Sequence, residues 1–98
     1  MSSQSYRTRQ TPDVKAKMQE WALTRAERNS VWTRLLVELP SEPDRYLFEA
    51  VRLPNVWAYR FHLGDKPHRR FFYFAVERRD YIGELWIVEA SLILETGG

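Results

Sequence analysis

From Val56 onward the chain changes to a repeat of two. Trp57, Tyr59, Phe61 and Leu63 fall on one parity, while Val56, Ala58, Arg60 and His62 fall on the other. Successive side chains of a strand point to opposite faces, so this pattern suits a half-buried strand and no helix. Gly64-Asp65-Lys66-Pro67 reads as a turn, and Arg69 to Arg78 as a second strand that is aromatic or aliphatic through its middle. Arg79-Asp80-Tyr81-Ile82-Gly83 turns the chain again before a third strand, Glu84 to Leu94. Residues 54–94 therefore read as a three-stranded antiparallel meander. In its last strand, Trp86, Val88, Ala90, Leu92 and Leu94 take the apolar face, and Glu89 and Ser91 the other. The second strand is apolar on both parities, which leaves the facing of Arg69 and Arg70 open.

The preceding half carries helical spacing. Thr11-Pro12-Asp13 combines a capping hydroxyl, a proline suited to the first helical position and an acid at the positive end of the dipole. Val14, Met18, Trp21, Ala22 and Arg25 then form one stripe. Asn29-Ser30 interrupts it and reads as the cap of a second helix bearing Val31, Trp32, Leu35, Leu36 and Leu39, stopped by Pro40 and Pro43. The two segments predict a helical hairpin. Ser5 to Gln10 reads as a short edge strand, and Tyr46 to Leu53 is open between a strand and a helical turn. The fold class is α+β: edge strand, helical hairpin and three-stranded meander, with the two helices on one sheet face and the other face open. Residues 1–98 make a single domain, with 1–4 and 95–98 as flexible tails.

Charge is uneven along this frame. The net value is +2, but residues 57–79 hold six Lys/Arg against two Asp/Glu, and residues 80–98 hold four acids and no base. That suggests a local basic patch beside an acidic strand; charged sheet edges that resist aggregation give the same pattern. The chain has no cysteine, which removes disulfides and thiolate metal sites and fits a reducing cytoplasm. Its beginning holds no apolar run of the signal-peptide kind, and no stretch reaches membrane-spanning length, so neither a membrane partner nor a membrane location is expected.

Three stretches resemble the RelE/ParE superfamily of toxins from toxin–antitoxin systems. Leu35-Leu36-Val37-Glu38-Leu39-Pro40-Ser41-Glu42-Pro43 resembles the end of that family's second helix. Leu53-Pro54-Asn55-Val56-Trp57-Ala58-Tyr59-Arg60-Phe61 resembles the entry to its first meander strand. His68-Arg69-Arg70-Phe71-Phe72-Tyr73-Phe74-Ala75-Val76 resembles the arginine, apolar pair and tyrosine of the next one. The resemblance spans Tyr6 to Leu94. It implies a RelE-like fold, a cytoplasmic protein and a cognate antitoxin as partner. It also implies either the ribosome with its mRNA or DNA gyrase as target. RelE-like members cleave mRNA in the ribosomal A site, which requires a proton acceptor, cations around the phosphate and a donor for the leaving oxygen. ParE-like members lack that set and inhibit gyrase.

By position, the resemblance matches Arg60 and Arg70 to basic residues of the family; with His62, which shares the strand face of Arg60, they are the catalytic candidates. Arg69, Tyr73, Arg78, Arg79 and Glu89 become candidates for contacts with RNA or a partner. Ala58 stands where the family has a second cation, and Glu89, Ser91 and Glu95 stand where its last strand has basic or His/Tyr residues. An acidic strand beside a scissile phosphate is repulsive. Arg60 and His62, two apart, share one strand face and can hold a phosphate or move a proton; a solvated polar face is the plain alternative. The aromatics from Trp57 to Tyr73 can stack on bases, though Trp57, Tyr59 and Phe61 alternate as core residues do. Phe71 to Phe74 must place half its rings off the core face, as an apolar patch or beneath a cover. His62, His68 and Asp65 make a poor ligand set, so no metal site and no cofactor is expected. The terminal Gly97-Gly98 matches the handle of ubiquitin-like modifiers, but helices before a meander do not suggest that fold. The leading expectation is thus a toxin that inhibits translation by binding ribosome-associated mRNA, with cleavage, and hence enzyme status as an endoribonuclease, left open. The alternative is a non-enzymatic interaction protein on the same fold, directed at gyrase or another protein.

Overall fold

A computed structural model describes residues 6–49 and 55–95. The expectations placed on residues 1–4 and 96–98, and on Leu53-Pro54, lie outside the described residues. In chain order the elements are β1 (Arg7–Gln10), α1 (Pro12–Gln19), α2 (Arg25–Thr33), a π-helical turn (Arg34–Glu38), α3 (Leu39–Ser41), α4 (Pro43–Tyr46), β2 (Phe48–Glu49), β3 (Val56–Leu63), β4 (Arg70–Arg79), a 3-10 turn (Asp80–Ile82) and β5 (Glu84–Leu94). The class is α+β. The sheet has five strands in the order β1-β5-β4-β3-β2, where an edge strand and a three-stranded meander were expected. β3, β4 and β5 pair antiparallel in succession, β2 adds to β3, and β1 joins β5 in parallel.

Thr11 caps α1 as its sequence suggests, accepting from the Val14 N–H. The second helix starts earlier than the Asn29-Ser30 break implied. Thr24 and Glu27 close a capping box in which each side chain accepts from the other's backbone N–H. The Thr-x-x-Glu spacing was there to be read. Nor does Pro40 stop the helix. The Leu39 N–H reaches back to the Arg34 carbonyl, the i→i−5 spacing of a π turn, and the chain carries on through α3. Pro40 has no N–H to offer the Leu35 carbonyl, which instead accepts from the Thr8 hydroxyl of β1. The proline is therefore absorbed by a cross-link between helix and sheet.

The core lies between the helices and one sheet face. Val14 and Met18 of α1, Val31 of α2, Leu35 and Leu39 enclose Tyr59, Phe72, Phe74, Val76, Leu85, Ile87 and Ala90. Trp21, in the α1–α2 link, sits 5.6 Å from Phe72 and 6.2 Å from Phe74 between ring centres. α1 packs on β5, and the π turn and α3 pack on β1. Among the described residues no helix is long and apolar enough to cross a membrane.

The expected face of β5 needs correction. Glu89 pairs with Ala75 and Ile87 with Val76, so Val88 is an extra residue, a β-bulge. Parity reverses there. Leu85 and Ile87 face the core before it, Ala90 and Leu92 after it, and Trp86 lies on the open face. Deleting Val88 therefore joins two halves that already agree in facing. The variant is expected to unfold cooperatively, at a cost of about 0.5–3 kcal/mol, measured by thermal melting with near-UV circular dichroism. A regular strand without the bulge predicts collapse instead, because one half would turn its core residues outward.

Candidate functional site

The face away from the helices takes its residues from all three long strands. Across the sheet, Arg60 of β3 pairs in register with Tyr73 of β4, and Tyr73 with Ser91 of β5. One row on, His62 pairs with Phe71 and Phe71 with Ile93. Arg60, His62, Phe71 and Tyr73, with Phe61 at the strand edge, line a shallow depression of about 240 Å³. Arg60 is exposed, lies over the Phe48 ring at 5.1 Å and has no acidic partner among the described residues. The His62 and Phe71 rings are 5.7 Å apart. Tyr73 is 39% exposed and Ile93 54%. A planar or apolar group can lie on these rings while Arg60 meets an anion.

The rest of the face is largely self-neutralised. Arg9 pairs with Glu84 at 3.2 Å, and Arg79 pairs with Glu77 at 2.8 Å while stacking on Trp86 at 4.7 Å. Trp86 Nε1 donates to Glu84, and that hydrogen bond, with help from Arg9, holds the Glu84 carboxyl below its usual range. Between this cluster and the Arg60 row lie Ala58 and Ala75, with Glu89 beside Ala75 on β5. Glu89 is exposed and makes no ion pair among the described residues; it stands one row from Arg60 and two strands away.

The structure divides the catalytic candidates. Arg60 and His62 share the open face. Arg70 points to the helix side, where its guanidinium donates to Glu27 at 2.7 Å and to the Ala22 carbonyl at 3.1 Å. It ties β4 to the capping box of α2. Arg69 is nearer the depression, over the Phe71 ring at 5.1 Å, but its guanidinium holds both Glu95 oxygens, at 2.7 and 3.1 Å. That bidentate pair keeps the Glu95 carboxyl below its ordinary value and leaves Arg69 little to offer a ligand. Arg78 is also occupied, by Asp44 at 2.7 Å and Asp80 at 3.2 Å, with Trp57 beneath it at 5.1 Å. Of the eight site candidates, Arg60, His62, Tyr73 and Glu89 lie on the open face with no ion pair among the described residues. Phe48, under Arg60, and Ile93, beside Phe71, adjoin the depression and were not singled out. Phe71 carried a signal, since half of the Phe71–Phe74 run had to leave the core.

Beneath this face, Tyr59 is buried in the core beside Phe74 and Phe61. Burial pushes its phenol from 10.0 up to about 12, against a smaller opposing effect of Arg34. The folded state thus holds this proton where the unfolded chain releases it. The stability it contributes is complete below pH 10.0 and is lost as pH rises through about 12. Tyrosinate absorbance should show a component that ionises late, together with unfolding, and Tyr59→Phe should remove that component.

Among the described residues no three groups of metal-ligating type gather. No protein family, no curated protein and no solved structure matches the chain.

Proposed function

We propose that the chain is a RelE/ParE-like inhibitory protein of the cytoplasm that acts by binding, with the open sheet face as its contact surface. The observation that carries this reading is the separation of Arg70 from Arg60 and His62. A phosphate held by Arg60 cannot also meet Arg70 through the sheet, and Arg69 is committed to Glu95. One free arginine leaves a cleaving site short of the cations its transition state needs, whereas a binding surface requires only complementary contacts. The RelE/ParE-like part is supported by a strand followed by a helical region and, after the two-residue β2, by three consecutive antiparallel strands. The targets that resemblance offers are the ribosome with its mRNA or DNA gyrase, and an antitoxin is the partner that would restrain it.

The second reading, cleavage of ribosome-bound mRNA, is favoured by a specific observation: His62 and Tyr73, two groups able to move protons, flank Arg60 in one depression. Induction of the protein in growing bacteria separates the two. Binding alone is expected to slow growth with mRNA left intact. Fragments of ribosome-associated mRNA that disappear with His62→Ala decide for cleavage. Unimpaired growth, translation and DNA replication remove both.

A further inference from the structure

The edge of the sheet next to the depression is half covered. β2 has only two residues, pairing Phe48 with Ala58 and Glu49 with Trp57. Before β2 the chain turns away: the Leu47 N–H bonds to the Pro43 carbonyl and closes α4, not a ladder. Among the described residues, no strand pairs with the outer edge of Tyr59–Leu63, and no other backbone hydrogen bond reaches it. A row of unpaired N–H and C=O groups on a strand this regular is a template for another strand.

The side chains along this edge say what kind of strand fits. Arg60 and His62 project to the open face, and neither has an acidic partner among the described residues. Phe61 and Leu63 project to the helix side, partly buried against the core, with Arg34 over the Phe61 ring at 4.9 Å. An added strand would therefore meet the Arg60 guanidinium and the His62 ring on one face and an apolar row bordered by Arg34 on the other. A second copy of this chain fits poorly, because two such edges paired antiparallel bring the Arg60 side chains onto one face together. From this charge pattern we infer that the outer edge of β3, from Tyr59 to Leu63, accepts an extended segment of a partner polypeptide with acidic side chains at alternate positions, adding it to the sheet as a further strand. This deepens the binding role proposed above and rests on it. The Arg60 charge that repels a second copy is the one that selects the acidic segment.

A displayed library of extended peptides, panned on the full chain, tests this directly. Selected peptides are expected to carry Asp or Glu at every second position and apolar residues between. Methylating the backbone nitrogens on the paired side of such a peptide should weaken binding at least about tenfold while leaving its charge unchanged. Arg60→Glu, at an exposed position, should turn the preference toward lysine-bearing peptides. The inference is overturned if no acidic peptide is enriched, if methylation changes nothing, or if Arg60→Glu leaves the preference as it was. It is also overturned if the chain alone sediments as a dimer in which those amides of Tyr59–Leu63 that point away from β4 are protected from exchange. Growth inhibition that needs Tyr73 but survives all these failures removes strand addition and leaves the open face as the binding surface; loss of any growth effect removes the parent reading itself.

Discussion

Phe72→Ala is expected to cost about 3–5 kcal/mol of folding stability, a large part of the 5–15 kcal/mol that holds a domain of this size. Phe72 is 0% exposed on the central strand of the sheet. Its ring lies 5.1 Å from Phe61, nearly parallel, and 5.6 Å from Trp21. Truncation removes a side chain that joins β3, β4 and the link between the first two helices. Those neighbours belong to separate elements, so they cannot close the gap by moving as one body. Denaturant titration should show a lower midpoint with an unchanged slope. Phe71→Ala, one residue away on the open face, should cost about 1 kcal/mol. Equal losses at the two positions would contradict the assignment of faces on β4.

That pair also marks where the sequence stops being readable. On β3, the large apolar residues recur at every second position, and Trp57, Tyr59, Phe61 and Leu63 do take the core side together. On β4, Phe71 to Phe74 are aromatic on both parities, so periodicity has nothing to distinguish. The choice is made by partners distant in sequence, with Trp21 and Phe61 on one side and His62 and Ile93 on the other. On β5 the alternation exists but misleads. The Val88 bulge shifts parity in mid-strand, and Trp86 emerges where Ile87 was expected. A bulge leaves no mark on composition, and Val88 is as good a strand former as its neighbours. The pairing of β1 with β5 depends on a chain crossover that no local pattern encodes. The site inherits these limits. Arg60 and His62 were placed on one face by simple alternation, whereas the facing of Arg70 depended on the parity of β4, the one strand that hides it.

The consequence for function is a dissociation between arginines. Arg60→Ala and Tyr73→Ala are each expected to weaken partner binding by at least about thirtyfold, corresponding to about 2 kcal/mol, the size of effect seen for arginine and tyrosine anchors at the centre of an interface. Neither should disturb the fold, since Arg60 is exposed and Tyr73 is 39% exposed. Arg70→Ala should do the reverse. It removes the 2.7 Å pair with Glu27 and the bond to the Ala22 carbonyl, lowers stability by about 1 kcal/mol, and leaves binding unchanged once the protein is folded. The pair is partly solvated, so losing it frees Glu27 to water and does not strand a buried charge. Denaturation midpoints and partner affinity, measured on the same three variants, give the comparison. If Arg70→Ala abolishes binding or RNA cleavage at full stability, the guanidinium must leave Glu27 and act at a site other than the open face. The binding surface would then lie on the helix side of the sheet, around the capping box of α2.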